Sequence, residues 1–114
     1  MRIEIRGIPA DATDGLGSYA ERRLRFALGR FTPRVGLVVA RLEDANGPRG
    51  GVDKQCQVRI RLIPEGEVFV RGMDADWGAA IGRAVDRVGR AVARALESQQ
   101  DVRASRGPWP DRMG

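Results

Sequence analysis

The 114-residue chain contains no histidine and only one cysteine, Cys56. Without histidine, Ser-His-Asp catalysis, Cys-His catalysis and histidine-containing zinc sites are all excluded. A single cysteine allows neither an internal disulfide nor a cysteine-rich metal site. No other acid–base or nucleophile arrangement stands out. We therefore predict that the protein is not an enzyme and uses no metal, other cofactor or small-molecule substrate.

Long apolar segments are also missing. No apolar run approaches the roughly 20 residues needed to span a bilayer. The N-terminal residues 1–6 alternate between charged and apolar types and form no apolar signal-peptide core. We therefore expect a cytoplasmic protein with no membrane partner, and the length predicts one domain.

Lysine and aromatic residues are scarce. Nineteen of the twenty basic residues are arginine and only Lys54 is lysine, while fifteen acidic residues leave a net charge of +5. Such an excess indicates a polyanionic partner, most often nucleic acid. An Arg-, Ala- and Gly-rich composition also follows from a GC-rich coding sequence, so the distribution of the arginines has to decide. The few aromatics argue against recognition of single-stranded RNA by base stacking.

Hydrophobic periodicity predicts four strands, over residues 2–6, 34–44, 54–63 and 67–73, and two helices, over 15–31 and 74–97. Helix caps are predicted at Asp11, Thr13 or Asp14 for the first helix and at Asp74 and Asp76 for the second. The pattern dissolves beyond Ser98. We therefore predict a folded domain over residues 1–97 and a mobile C-terminal tail over 98–114.

The element order β-α-β-β-β-α predicts a two-layer α+β fold in which both helices pack on one face of a four-stranded sheet. The helical connection between the first two strands suits a parallel pair with a right-handed crossover. Short connections among the last three strands indicate an antiparallel meander. The opposite sheet face is predicted to carry arginines mixed with glutamates, which a solvated face with cross-strand ion pairs explains.

The second helix carries Arg83, Arg87, Arg90 and Arg94 at spacings of four, three and four residues. This spacing places them on one stripe, where like charges repel by a few tenths of a kcal/mol per pair. A stripe that costs stability suggests a use, and guanidinium groups bind the phosphates of RNA bidentately. A solvated face in an arginine-rich protein is the alternative. Arg22 and Arg25 are predicted to point outward from the first helix, and both basic rows to border a shared groove.

Two segments resemble the ribosome hibernation promoting factor family, also known as ribosome-associated translation inhibitors or sigma-54 modulation proteins. The first contains Ile5, Gly7, Thr13, Leu16, Tyr19, Glu21, Arg23, Leu24 and Phe31. The second contains Asp74, Asp76, Ala79, Ala80, Ile81, Asp86, Arg87, Val88, Arg90 and Val92. The resemblance covers residues 3–97 and is closest to the short forms of the family.

The resemblance implies a fold like that of double-stranded-RNA-binding domains and no catalytic residues. It implies that the protein binds the rRNA of the small ribosomal subunit in the tRNA and mRNA channel, and so inhibits translation or stabilises idle ribosomes in stationary phase or stress. The family's basic positions correspond to Arg23, Arg87 and Arg90, and a monomer is favoured. Two other hypotheses stay open, namely a diverged double-stranded-RNA-binding module and a protein-interaction module that does not act on ribosomes.

Overall fold

A computed structural model describes residues 1–10, 12, 14–45 and 53–106 of the chain, with only the backbone described for residues 100–106. The strands are β1 (Arg2–Arg6), β2 (Val35–Asp44), β3 (Lys54–Leu62) and β4 (Glu67–Asp74). The helices are α1 (Leu16–Leu28) and α2 (Trp77–Arg106), and a 3-10 helix over Gly29–Arg34 joins α1 to β2. Within the described ranges, no helix is long and apolar enough to cross a membrane.

The four strands form one sheet in the order β1-β2-β3-β4. β1 pairs with β2 in parallel, so that Ile3 lies beside Val38. β2 with β3, and β3 with β4, pair in antiparallel. These pairings confirm the parallel first pair and the antiparallel meander predicted from the sequence.

Alternation along the strands buries one sheet face and exposes the other. In β3, for example, Cys56, Val58 and Ile60 are buried whereas Arg59 and Arg61 are exposed. The buried face joins the apolar sides of both helices in one core. The α+β prediction, with both helices on one face of the sheet, is therefore confirmed.

The start of α1 differs from the predicted one. The residue that caps the helix is Gly15, which has a left-handed backbone (φ 87°) and no side chain to accept a hydrogen bond. Glycine adopts this conformation without the steric penalty that other residues incur. Asp14 is therefore not the cap, while Asp11 and Thr13 lie outside the described residues. At its other end α1 gives way at Gly29 to the 3-10 helix, which contains Pro33.

The beginning of α2 is capped as predicted. The Asp76 carboxylate accepts a hydrogen bond from the backbone N–H of Ala79 at 3.0 Å, and Asp74 accepts one from the N–H of Asp76 at 3.2 Å. These bonds satisfy donors that the first turn of a helix leaves without intrahelical partners.

The prediction that α2 ends near residue 97 is wrong, because the helix runs to Arg106. The Gln99 amide donates to the carbonyl of Glu65 at 2.8 Å and accepts a bond from Arg34 at 3.2 Å. Arg34 in turn donates to the carbonyl of Ile63 at 2.7 Å. The helix is thus held against the β3–β4 turn by polar contacts that an apolar-periodicity argument does not detect. Residues 107–114, which include Trp109, lie outside the described residues.

Gly72 of β4 determines how closely α2 approaches the sheet. A Cβ atom at this position would collide with the carbonyl oxygen of Ala80 and lie 2.5 Å from the backbone nitrogen of Ala84. The α2 backbone therefore rests directly on β4 at this point, which sets the depth of the helix against that strand.

Candidate nucleic-acid interface

The four arginines of the predicted stripe, Arg83, Arg87, Arg90 and Arg94, are all exposed on α2. They follow the flank of the helix that lies along β4, the edge strand of the sheet. Arg87 donates a hydrogen bond to the backbone carbonyl of Arg71 in β4. We call these four residues the α2 row.

Arg83 is the most constrained member of the α2 row. Its Nε lies 3.0 Å from a carboxylate oxygen of Asp74 at the end of β4. This hydrogen bond, followed by one from the backbone N–H of Asp76, holds the pKa of Asp74 below its usual range. Because Asp74 offsets part of its charge, Arg83 contributes less positive potential than its neighbours.

Arg90 and Arg94 form no hydrogen bond or ion pair with any side chain that the structure describes. With Arg87 they line an open depression of about 290 Å³, and Val70 and Ala91 complete its lining. Three guanidinium groups around one depression, two of them uncommitted, form a surface suited to phosphate oxygens.

The α1 arginines are arranged differently. Arg25 pairs with Glu21 one turn earlier, at 2.9 Å, and both side chains are exposed. Arg22 is exposed and has no partner among the described residues. Ser18 completes a second open depression, of about 250 Å³, around these three charged residues. The predicted outward orientation of Arg22 and Arg25 is thus observed, although Glu21 neutralises part of their charge.

Arg23 lies at the junction of the two helices and is half-buried. It donates to the Tyr19 hydroxyl at 2.6 Å, and its guanidinium carbon lies 5.6 Å from the centroid of that ring. A methyl group at Gly82 of α2 would lie 3.9 Å from the Arg23 guanidinium. Arg23 therefore joins α1 to α2, and part of its donor capacity is used inside the protein.

The prediction that both basic rows border one groove is wrong. α1 packs against the flank of α2 that carries Gly82 and Gly89, where a Cβ on Gly89 would meet the carbonyl of Ala27 at 3.9 Å. Gly89 and Arg87 are two positions apart, which is about 200° around the helix, so they lie on opposite flanks. The α2 row therefore borders β4 rather than α1.

Two exposed phenylalanines were missed from the sequence. Phe26 on α1 is 90% exposed, and Phe69 on the open face of the sheet is 52% exposed. The signal for Phe26 was its position off the apolar stripe of α1. The signal for Phe69 was its alternation with Val68 and Val70, which places it on the face opposite the core.

Lys54 is committed to local structure. It pairs with Asp44 at 2.9 Å and with the buried Asp53 at 3.4 Å, and it lies 5.6 Å from the centre of a Trp77 ring. The hydrogen bond to Asp44 raises the pKa of Lys54. This residue therefore neutralises the start of β3 and adds little to either basic surface. Cys56 is a core residue, and burial raises the pKa of its thiol to about 12.

Comparison with known proteins identifies the family. Residues 3–100 match the family described as sigma 54 modulation protein / S30EA ribosomal protein. The chain belongs to this family. None of the curated protein sequences compared with the chain matches it.

Two solved structures support the fold of this member of the sigma 54 modulation protein / S30EA ribosomal protein family. The N-terminal domain of Thermus thermophilus Protein Y is 30% identical, with a TM-score of 0.65 over 83% of this chain and 99% of that one. A ribosomal subunit interface protein from Coxiella burnetii is 12% identical, with a TM-score of 0.68 over 85% of this chain and 99% of that one. The second comparison bears on the fold alone.

Proposed function

We propose that this protein binds the rRNA of the small ribosomal subunit in the channel used by tRNA and mRNA, and that it inhibits translation or stabilises idle ribosomes under stress. Membership of a family whose description includes a ribosomal protein supports a ribosomal partner. The proposal places the protein in the cytoplasm, as a non-enzymatic factor that acts as a monomer.

The observation that carries this proposal is the pair of uncommitted arginines in the α2 row. Arg90 and Arg94 are repelled by the other arginines of the α2 row, and no acidic side chain among the described residues neutralises their charge. A row of phosphates relieves that repulsion and accepts guanidinium donors in pairs. Arg87 extends the row beside the edge of β4, whereas Arg83 is partly neutralised by Asp74 at 3.0 Å.

In this mechanism the arginines provide the affinity for rRNA, and the volume of the folded domain inhibits translation. Arginine–phosphate contacts release counterions, which makes the affinity depend on salt and independent of base sequence. Arg22 and Arg25 add a second set of phosphate contacts on α1, with Arg23 between the helices. The two-layer domain then occupies space that tRNA and mRNA would use, so inhibition is steric and needs no chemical step.

Co-sedimentation with purified small subunits tests this proposal. We expect the Arg90→Glu/Arg94→Glu variant to lose most binding. In the Arg90→Ala/Arg94→Ala variant, the slope of log K against log salt concentration should become shallower. The expected decrease is about one for each arginine–phosphate contact that is lost. Single reversals give a charge-matched control: Arg94→Glu removes one member of the α2 row, whereas Arg30→Glu changes the net charge equally at an exposed residue of the 3-10 helix, away from the α2 row and from the open sheet face. The proposal fails if the two single reversals bind equally well.

Two further measurements separate the alternatives. Equal affinity for a plain RNA duplex and for small subunits would indicate a general double-stranded-RNA-binding module. A complex with one acidic protein that persists after nuclease treatment would indicate a protein-interaction module. We expect instead that small subunits are preferred and that translation in an extract falls as they become occupied.

A further inference from the structure

The open face of the sheet brings an aromatic side chain together with several arginines. Across neighbouring strands the register aligns Glu4, Val39, Arg59 and Phe69 in one row. Arg41 belongs to the adjacent row, because it is paired with Gln57 of β3. The face is therefore a continuous platform over all four strands, with an aromatic ring on β4 and guanidinium groups beside it.

This open face carries an excess of positive charge. Alternation along the strands assigns six arginines and three glutamates to it, namely Arg2, Arg6, Arg41, Arg59, Arg61, Arg71, Glu4, Glu43 and Glu67. Glu4 is shared by Arg2 at 3.2 Å and Arg6 at 2.6 Å, and Glu67 lies 3.8 Å from Arg59. Arg41 and Arg61 have no such partner within the described residues. Ion pairs within β1 and between β3 and β4 thus account for only part of the basic charge.

Phe69 lies at one side of a depression on this face. The depression has a volume of about 290 Å³ and is lined by Arg6, Val39, Arg41, Gln57, Arg59 and Phe69. Phe69 is 52% exposed although it is large and apolar. The guanidinium carbon of Arg59 lies 5.9 Å from its ring centroid, within cation–π range. The volume is at the small end for ligand pockets, which suits one nucleotide better than a folded partner.

We propose that the open face of the sheet is a second nucleic-acid site, which binds an unpaired nucleotide of single-stranded RNA. Although the scarcity of aromatic residues argued against base stacking, one exposed ring is enough for one base. The base stacks on Phe69 and Arg59, since unpaired bases stack on aromatic rings and guanidinium planes. The phosphate is held by Arg41 and Arg6. The amide nitrogen of Gln57 donates to Gln55 at 2.6 Å, which leaves the Gln57 carbonyl oxygen to accept a hydrogen bond from a base edge. This site lies on the opposite face of the sheet from the helices and stands whether or not the α2 row binds the ribosome.

Affinity for a fluorescein-labelled hexauridylate, measured by anisotropy at several salt concentrations, tests the proposal. Loss of one stacked base weakens binding by about 5- to 150-fold, and we expect a change of that size for Phe69→Ala. Phe69→Trp should keep the affinity because it keeps an aromatic surface. Phe69→Leu should lose it, because leucine keeps only the apolar contact. The matched control is Met73→Ala, which removes another exposed apolar side chain from the same face of β4.

Competition with unlabelled compounds identifies which chemical groups the site recognises. Unlabelled hexauridylate should displace the probe. Free uridine monophosphate should displace it weakly, because it offers only one base and one phosphate. A polyglutamate peptide of the same charge as the hexauridylate should not displace it. Phe69→Ala should weaken hexauridylate binding by the same factor in the wild type and in the Arg90→Glu/Arg94→Glu variant. An equal factor in both backgrounds separates this site from the α2 row. The proposal is overturned if Phe69→Ala binds hexauridylate as tightly as the wild type. Competition by polyglutamate equal to that of the oligonucleotide would also overturn it.

Discussion

Replacing Gly72 by alanine tests how α2 is seated on the sheet. The added Cβ would collide with the carbonyl oxygen of Ala80, lie 2.5 Å from the nitrogen of Ala84 and lie 3.0 Å from the Cβ of Arg83. Two of these three atoms belong to helix backbone and cannot rotate away. Ordinary contact begins at 3.4 Å, so α2 has to move away from β4 by roughly 1 Å, because dispersion attraction turns to repulsion at shorter range.

The cost can be estimated from the behaviour of overpacked cores. Forcing one extra carbon into a well-packed interior costs typically about 1–3 kcal/mol. Loss of backbone freedom in the unfolded chain offsets about 0.4–1 kcal/mol of this. A net loss of about 1–2 kcal/mol lowers the Tm of a domain of this size by about 5–15 °C.

Thermal denaturation followed by circular dichroism measures this difference, with Gly29→Ala as the matched control. Gly29 has a helical backbone (φ −55°) and no atom within 4 Å of an added Cβ. Alanine at Gly29 should therefore stabilise the protein by about 0.4–1 kcal/mol. The two glycine variants should shift the Tm in opposite directions. A wild-type Tm for Gly72→Ala would refute the close contact between α2 and β4.

Three other changes probe α2 and its contacts. Gly89→Ala should raise the Tm by several degrees, because an alanine side chain has room there and improves helix propensity by about 1 kcal/mol. The lowered pKa of Asp74 stabilises the fold above the unfolded pKa of about 3.9, and this stabilisation is lost as the pH falls through the folded pKa. Denaturant titrations at pH 7 and pH 3 should therefore show a smaller acid loss for Asp74→Asn than for the wild type. Gln99→Ala should speed amide hydrogen exchange in the turn around Glu65, whereas equal exchange rates would show that this contact does not hold the turn.

The sheet was predictable because the alternation of apolar and polar residues within each strand specifies its buried face. In β3 the alternation of Cys56 and Val58 with Arg59 and Arg61 specifies which face is buried, and a shift of one residue would reverse it. Short connections then leave few topologies for the remaining strands. The ends of the helices were less predictable because they depend on backbone conformation at Gly15 and on long-range polar contacts at Gln99. Neither feature changes the hydrophobic period.

The α2 row shows where a periodic pattern stops being informative. Spacing of four, three and four residues places Arg83, Arg87, Arg90 and Arg94 on one stripe, and all four are exposed. Periodicity does not specify which neighbouring element the stripe will border, since that depends on how the helix is rotated about its axis. Here Gly72 allows the helix backbone to rest on β4, and the α1 contact lies on the opposite flank. The stripe consequently turns toward the edge strand.

The rotation of α2 about its axis determines which other basic residues lie beside the α2 row. Had the α2 row faced α1, its potential would have added to that of Arg22 and Arg25 in one groove. Instead Arg87 is bonded to the Arg71 carbonyl at the edge of β4, while the exposed Arg71 side chain belongs to the open face of the same strand. The α2 row and the open face therefore meet at β4. At physiological salt, charges reinforce one another only within about 8 Å, so each basic surface acts mainly on the phosphates nearest to it.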